Sequence, residues 1–200
     1  VRVLIYATVL FLSAACSVPK LGPGEATRYY VLVDQREDSV EAPHQIKGTL
    51  LVLETEAAPF LASRKIIFSD SPSERGYYQY ASWTESPNKQ ITGLLVNRLE
   101  ESKALSTVTK VSGTTVGDFQ LNSELLELYH DISERPGKAR VSLRVELVNL
   151  KTRKIIAQKK FSAQAKLEEY DAAAAVEGLS HAVSNILHQV QSWLVKHVPK

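Results

Sequence analysis

Hydrophobic and polar positions alternate along most of this chain, and two stretches break that rhythm with helical spacing. Arg28 to Asp34 (RYYVLVD) is rich in aromatic and β-branched residues and predicts a strand. Gln35 to His44 is polar and predicts a loop. Gly48 to Glu54 (GTLLVLE) is a short apolar run, the pattern of a strand buried on both faces. Ala57 to Leu61 predicts a helical turn. Arg64 to Ser69 and Tyr77 to Ala81 flank a polar turn and predict a hairpin. Ser86 and Pro87 form a helix start, and the helix runs to about Ser102 with Ile91, Leu94, Leu95 and Leu99 on one face. Leu105 to Val111 predicts another strand.

Phe119 to Glu134 is ambiguous. Leu121, Leu125 and Leu128 fit helical spacing, whereas Phe119, Leu121, Leu125 and Tyr129 fit alternation, with Ser123 and Glu127 as exceptions. A strand is favoured, because Val141, Leu143, Val145 and Leu147 alternate cleanly beyond the turn Arg135 to Lys138. Ile155 to Ala163 predicts a further strand. From Asp171 to His197, Leu179, Val183, Ile186, Val190 and Leu194 form one apolar stripe. That helix packs on the sheet; a membrane-surface helix is the alternative, but its polar face is not strongly cationic. Strands joined by hairpins but interleaved with helices give an α/β class: a mixed, largely antiparallel sheet covered by two long helices, in a single-domain sandwich.

The first residues belong to none of these elements. Arg2, an apolar run from Val3 to Leu12 and the small residues Ser13, Ala14 and Ala15 read as a signal peptide. The next residue, Cys16, is the only cysteine in the chain, so it has no internal disulfide partner. Leu12-Ser13-Ala14-Ala15-Cys16 resembles a lipobox, in which Leu more often stands where Ser13 does here. The alternatives are an ordinary secretory signal and a short anchor, although the run falls short of the ~20 residues that span a bilayer. The lipobox reading makes residues 1–15 a signal peptide and 16–27, with Pro19, Gly22, Pro23 and Gly24, a tether, leaving 28–200 as a periplasmic domain. Cys16 would carry a diacylglycerol and an N-acyl chain such as palmitate, and no other cofactor is implied. In Gram-negative lipoproteins an Asp after the cysteine retains the protein in the inner membrane, so Ser17 favours the outer membrane.

After that cleavage about 185 residues remain, enough for one domain with a real core. The net charge of +2 leaves no footprint for nucleic acid. No histidine among His44, His130, His181, His188 and His197 has a metal-ligand spacing, and no nucleophile or phosphate-loop motif occurs. His130 and Asp131 are adjacent, so a strand sends their side chains to opposite faces. Glu124, Glu127 and Asp131 read as a solvated edge. The reading is therefore not an enzyme, with no metal and no catalytic residues. The better suspects are aromatic. Tyr78, Tyr80 and Trp83 are candidate partner-binding residues, with Trp83 also fitted to anchor the first helix and the tyrosines also fitted to a core.

The order Tyr29-Tyr30-Val31-Leu32, Ile66-Ile67-Phe68, Tyr78 to Pro87, Leu94, Leu99, Val108, Phe119-Gln120-Leu121 and Trp193-Leu194 resembles the ABC-type transport auxiliary lipoproteins, the PqiC-like family. The resemblance implies a mixed-sheet α/β domain without catalytic activity. It also implies an outer-membrane lipoprotein that docks an MCE-domain protein of an ABC-type transporter, supporting lipid transport and membrane integrity. Self-association into a ring is compatible with the family. The rival is a periplasmic lipid carrier with its own acyl-binding cavity.

Overall fold

The computed structural model describes residues 26–35 and 46–199. The signal peptide, Cys16 and most of the tether lie outside the described residues. The strands are β1 (Arg28–Tyr30), β2 (Ile46–Val52), β3 (Glu56–Ala57), β4 (Lys65–Ser69), β5 (Gly76–Trp83), β6 (Leu105–Lys110), β7 (Phe119–Asp131), β8 (Lys138–Asn149) and β9 (Lys154–Lys166). The helices are α1 (Pro87–Glu101) and α2 (Ala172–His197). All nine strands belong to one sheet, and the domain is a single α/β unit.

β7 organises that sheet. Along one edge it pairs antiparallel with β8, from Phe119↔Asn149 to Asp131↔Lys138. Its other edge takes three short strands in turn, all parallel: β2 at Leu50↔Phe119, β3 at Glu56↔Glu124 and β4 at Phe68↔His130. β6 extends the sheet beyond β2, and β5 then β1 extend it beyond β4. The expected antiparallel character therefore belongs to the long pairs β7–β8 and β8–β9 and to the β4–β5 hairpin. The remaining short strands arrive from distant parts of the chain and join parallel, which hairpin reasoning could not anticipate.

The ambiguous stretch is a strand, with one correction. The register shifts between Leu125 and Glu127, so Leu126 bulges out and the inward face changes parity. Phe119, Leu121, Ser123 and Leu125 point inward before the bulge, and Leu128 and His130 after it. Tyr129 thus lies on the opposite face from Phe119. The same shift produces the helix-like spacing of Leu121, Leu125 and Leu128. The helical turn expected at Ala57 is displaced: Ala57 ends β3, and a turn follows in which Leu61 and Ala62 donate to Ala58 O, each over 2.9 Å.

Both helices cover one face. α1 begins as expected at Pro87, but the Ser86 side chain makes no capping bond; Ser86 O accepts from Lys89 and Gln90 N–H instead. α2 is capped by Asp171, whose Oδ1 accepts from Ala174 N–H at 2.8 Å. Its expected stripe is buried against Val141, Leu143, Val145 and Leu147 of β8 and Phe161 of β9. Each such side chain contributes about 1.5–3 kcal/mol of burial. Gly178 lets α2 approach closely: a Cβ there would fall 2.2 Å from Leu167 Cδ2 and 3.1 Å from Ala139 Cβ. The opposite sheet face is a polar lattice in which Glu124 meets Arg144, Glu127 meets Ser142 and Asp131 meets Arg140. That lattice disperses the acidic cluster seen in sequence.

Only the first part of the expected Arg28–Asp34 strand pairs in the sheet. Beyond Tyr30, residues 31–35 form an extended strap seated on the two helices. Leu32 N–H donates to Gln90 Oε1 (2.7 Å), Val33 N–H to Ser180 Oγ (3.3 Å) and Gln35 N–H to Ser184 Oγ (2.7 Å). Leu32 enters the core, and Asp34 forms a two-point ion pair with Arg98 of α1, both side chains being almost fully buried. A buried guanidinium stripped of its carboxylate is far costlier than the intact pair is beneficial. We predict that Asp34→Ala destabilises the domain by about 3–5 kcal/mol in urea unfolding. The double variant Asp34→Leu/Arg98→Met should recover most of that loss. Equal destabilisation by single and double variants would refute the account.

Candidate functional site: a tyrosine-lined groove beside the tether

The last residues of the tether lead into an open groove between β1, β5 and the start of α2. Its volume is ≈ 600 Å³, and it is lined by Ala26, Thr27, Arg28, Tyr30, Tyr78, Gln79, Tyr80, Ala81, Asp171, Ala172 and Ala173. Ala172 and Ala173 keep this helix end slim, leaving room for the rings. β5 reaches the groove through an irregular stretch, since its register with β4 shifts between Lys65↔Ser82 and Ile67↔Tyr77. That shift turns Ala81 and Trp83 into the core while Tyr80 stays exposed.

The structure separates the three aromatic candidates. Tyr78 and Tyr80 share the groove, Tyr78 half-buried and Tyr80 43% exposed. Trp83 does not join them. It is 1% exposed, paired in register with Tyr30, and its side chain has no surface to offer a partner. Alternation alone separates Trp83 from Tyr78 and Tyr80; the register shift in β5 is what turns its side of the strand into the core.

Behind Tyr78 stands a residue that sequence reasoning passed over. His130 is fully buried at the end of β7. Its Nε2 lies 3.0 Å from Pro136 O, and a carbonyl only accepts, so Nε2 carries the proton. Nδ1 then accepts from the Tyr78 hydroxyl at 2.7 Å. The ring is neutral and fully satisfied. Burial holds His130 below the usual histidine range, although Pro136 O, Asp131 and Asp171 oppose that shift. Burial also pushes the Tyr78 hydroxyl up to about 12, with Tyr170 and Asp171 adding to it. Phe68 packs edge-on to Tyr78 at 5.3 Å, Tyr170 lies 5.7 Å from His130, and Arg135 covers Tyr170 at 4.4 Å. Gly137, at φ +105°, makes this arrangement possible: a Cβ there would sit 2.1 Å from His130 Nε2. The signal available in sequence was the Pro136-Gly137 turn a few residues beyond a histidine.

The site is an open groove rather than an enclosed cavity. The hydroxyl–imidazole pair beside it, Tyr78 on His130 Nδ1, is held with His130 Nε2 on Pro136 O. Among the described residues, no group of three or more His, Cys, Asp or Glu side chains could hold a metal ion. A second concavity of ≈ 320 Å³, on the polar sheet face, has Glu54 matched by Lys110 and Glu124 by Arg144.

A family model described as the ABC-type transport auxiliary lipoprotein component matches residues 30–191. The chain belongs to this family. Solved structures show that the auxiliary lipoprotein shares its fold with other bacterial proteins. A Xanthomonas campestris protein of the DUF330 family model superposes with a TM-score of 0.76 at 19% identity, covering 85% of this chain and 96% of that one. An uncharacterised protein gives 0.67 at 14% identity, covering 85% and 99%. A hypothetical protein from Chlamydia trachomatis gives 0.54 at 11% identity, covering 76% and 98%. No curated protein matches the chain. The matched span of the auxiliary lipoprotein begins at Tyr30, a groove residue, and includes Tyr78, Tyr80, His130 and Asp171. No helix among the described residues is long and apolar enough to cross a membrane.

The buried histidine gives a testable pH dependence. Its folded pKa is lowered, so the unfolded chain binds the proton first as pH falls. The stability that neutral His130 contributes is complete above the unfolded value of ~6.5 and is lost as pH falls toward the folded value. We predict that His130→Gln costs about 1–3 kcal/mol near pH 8. The gap to the parent should shrink between pH 7 and pH 5. Urea unfolding across that range checks this, and a pH-independent gap would overturn it.

Proposed function

We propose that this auxiliary lipoprotein is a non-catalytic docking component of an ABC-type lipid transporter. In this reading Cys16 anchors it by acyl chains to the outer membrane, the domain faces the periplasm, and the groove receives an MCE-domain protein of the transporter. The observation that carries the reading is an accessible aromatic groove at the point where the tether enters a domain of this family. Tyrosine suits such a surface, because it offers a large ring at little entropic cost together with a polar tip.

The core weighs against the carrier alternative. In a two-layer sandwich an acyl cavity belongs between helices and sheet. Among the described residues, the pocket lined there by Ile91, Val141, Leu143, Val183, Ile186 and Leu187 measures ≈ 10 Å³. That is about the room of one water probe, far below the roughly 300 Å³ at which ligand pockets begin.

Two variants test the docking role. Tyr80→Arg puts a charge on the groove without touching the core, so the melting temperature should hold. Co-purification with the MCE-domain subunit should weaken by about tenfold, the equivalent of ~1.4 kcal/mol. Cys16→Ala should release the chain from membranes and abolish transporter support while leaving the domain folded. Undiminished co-purification of Tyr80→Arg would move the docking surface elsewhere. Continued membrane fractionation and complementation by Cys16→Ala would refute the anchor.

A further inference from the structure

The strap has a second face. Val31 and Val33 are 51% and 54% exposed, and Tyr29 of β1, just before the strap, is 60% exposed. They cannot be tucked in by rolling the strap. Such a rotation would pull Leu32 from the core and Asp34 from Arg98, and would break the three N–H bonds to Gln90, Ser180 and Ser184. The fold therefore holds a narrow apolar stripe out in the solvent.

We propose that this stripe rests on the bilayer surface to which the chain is anchored. The inference builds on the lipoprotein reading of Cys16. The length of chain supports it: Tyr29 stands thirteen residues beyond Cys16, a contour of at most about 45 Å even if fully extended. Anchored at Cys16, the stripe never leaves the neighbourhood of the membrane, and it is the first exposed apolar feature beyond the tether. Its chemistry fits a headgroup boundary. A tyrosine ring with its hydroxyl prefers that layer, and valines enter it shallowly. By itself the stripe is too narrow for a stable protein interface. Three side chains in single file cannot supply the roughly 800 Å² per partner that a stable protein interface buries. They suffice for a tethered domain, because the anchor already holds the local concentration high.

The test uses the full chain, purified with its acyl chains and reconstituted into vesicles of phosphatidylethanolamine with a minority of phosphatidylglycerol. With Cys16 acylated, an introduced cysteine is the sole free thiol. Val31→Cys and Val33→Cys, with Val116→Cys on the exposed loop before β7 as reference, are labelled with an environment-sensitive fluorophore. The expected result is blue-shifted emission at positions 31 and 33, with several-fold stronger quenching by lipid-borne nitroxide than at 116. Equal quenching at all three positions overturns the proposal. So does a shift at 31 and 33 that appears only when a partner protein or more of this chain is added. Intact mass separates the two ideas: a chain without acyl groups refutes the anchor. The stripe is then tested in the Cys16→Ala background, held on nickel-lipid vesicles by a histidine tag in place of the anchor. Unquenched labels there overturn the stripe on its own.

Discussion

The fold depends on the hydrogen-bonding demand of one strand, β7. A strand of thirteen residues inside a sheet must satisfy backbone groups along both edges, and a buried unpaired N–H or C=O costs as much as a lost hydrogen bond. β8 meets this demand on one side as a continuous hairpin. On the other side no neighbour in sequence is available, and β2, β3 and β4 divide the edge among them. Two smaller sub-sheets result, β2 with β6 at one end of β7 and β4 with β5 and β1 at the other. The bulge at Leu126 lets a single strand serve both, because it re-aims the inward face half-way along. It also turns His130 into the core beside Tyr78 rather than into the polar lattice that holds Asp131.

The second constraint is the seating of the strap. A chain crossing two helices offers backbone donors that helix backbones cannot accept, so side chains must take them. This explains Ser180 and Ser184, polar residues buried within a helix that is otherwise apolar toward the core. It explains Arg98 as well, a charged residue on the buried side of α1 that is matched by Asp34. Through these contacts the segment entering the domain is fixed to both helices at once.

The sequence carried the elements further than their assembly. Pro87, the capping Asp171 and the stripe from Leu179 to Leu194 mark both helices where they stand, because capping chemistry and 3.6-residue spacing are local properties. The hairpin strands from Phe119 to Ala163 were legible for the same reason, since a hairpin needs only a turn and two alternating runs. The site was half legible. Tyr78 and Tyr80 were singled out as aromatics and do share a groove; Trp83 was placed with them, and His130 was set aside. The burial of Trp83 and of His130 traces in each case to a strand irregularity, at β5 and at Leu126, which turns the later residues to the core face.

The amino-acid sequence by itself determined the class of the domain, its two helices, its long hairpins and the family to which it belongs, because each rests on local propensity, turn chemistry or residue order. Only the tertiary structure decided which short strands queue along the free edge of β7, where the faces of β5 and β7 invert, and that the first strand gives way to a strap after Tyr30. Those outcomes arise from pairings between residues tens of positions apart. There the satisfaction of buried hydrogen bonds and charges chooses among arrangements that local patterns leave equal.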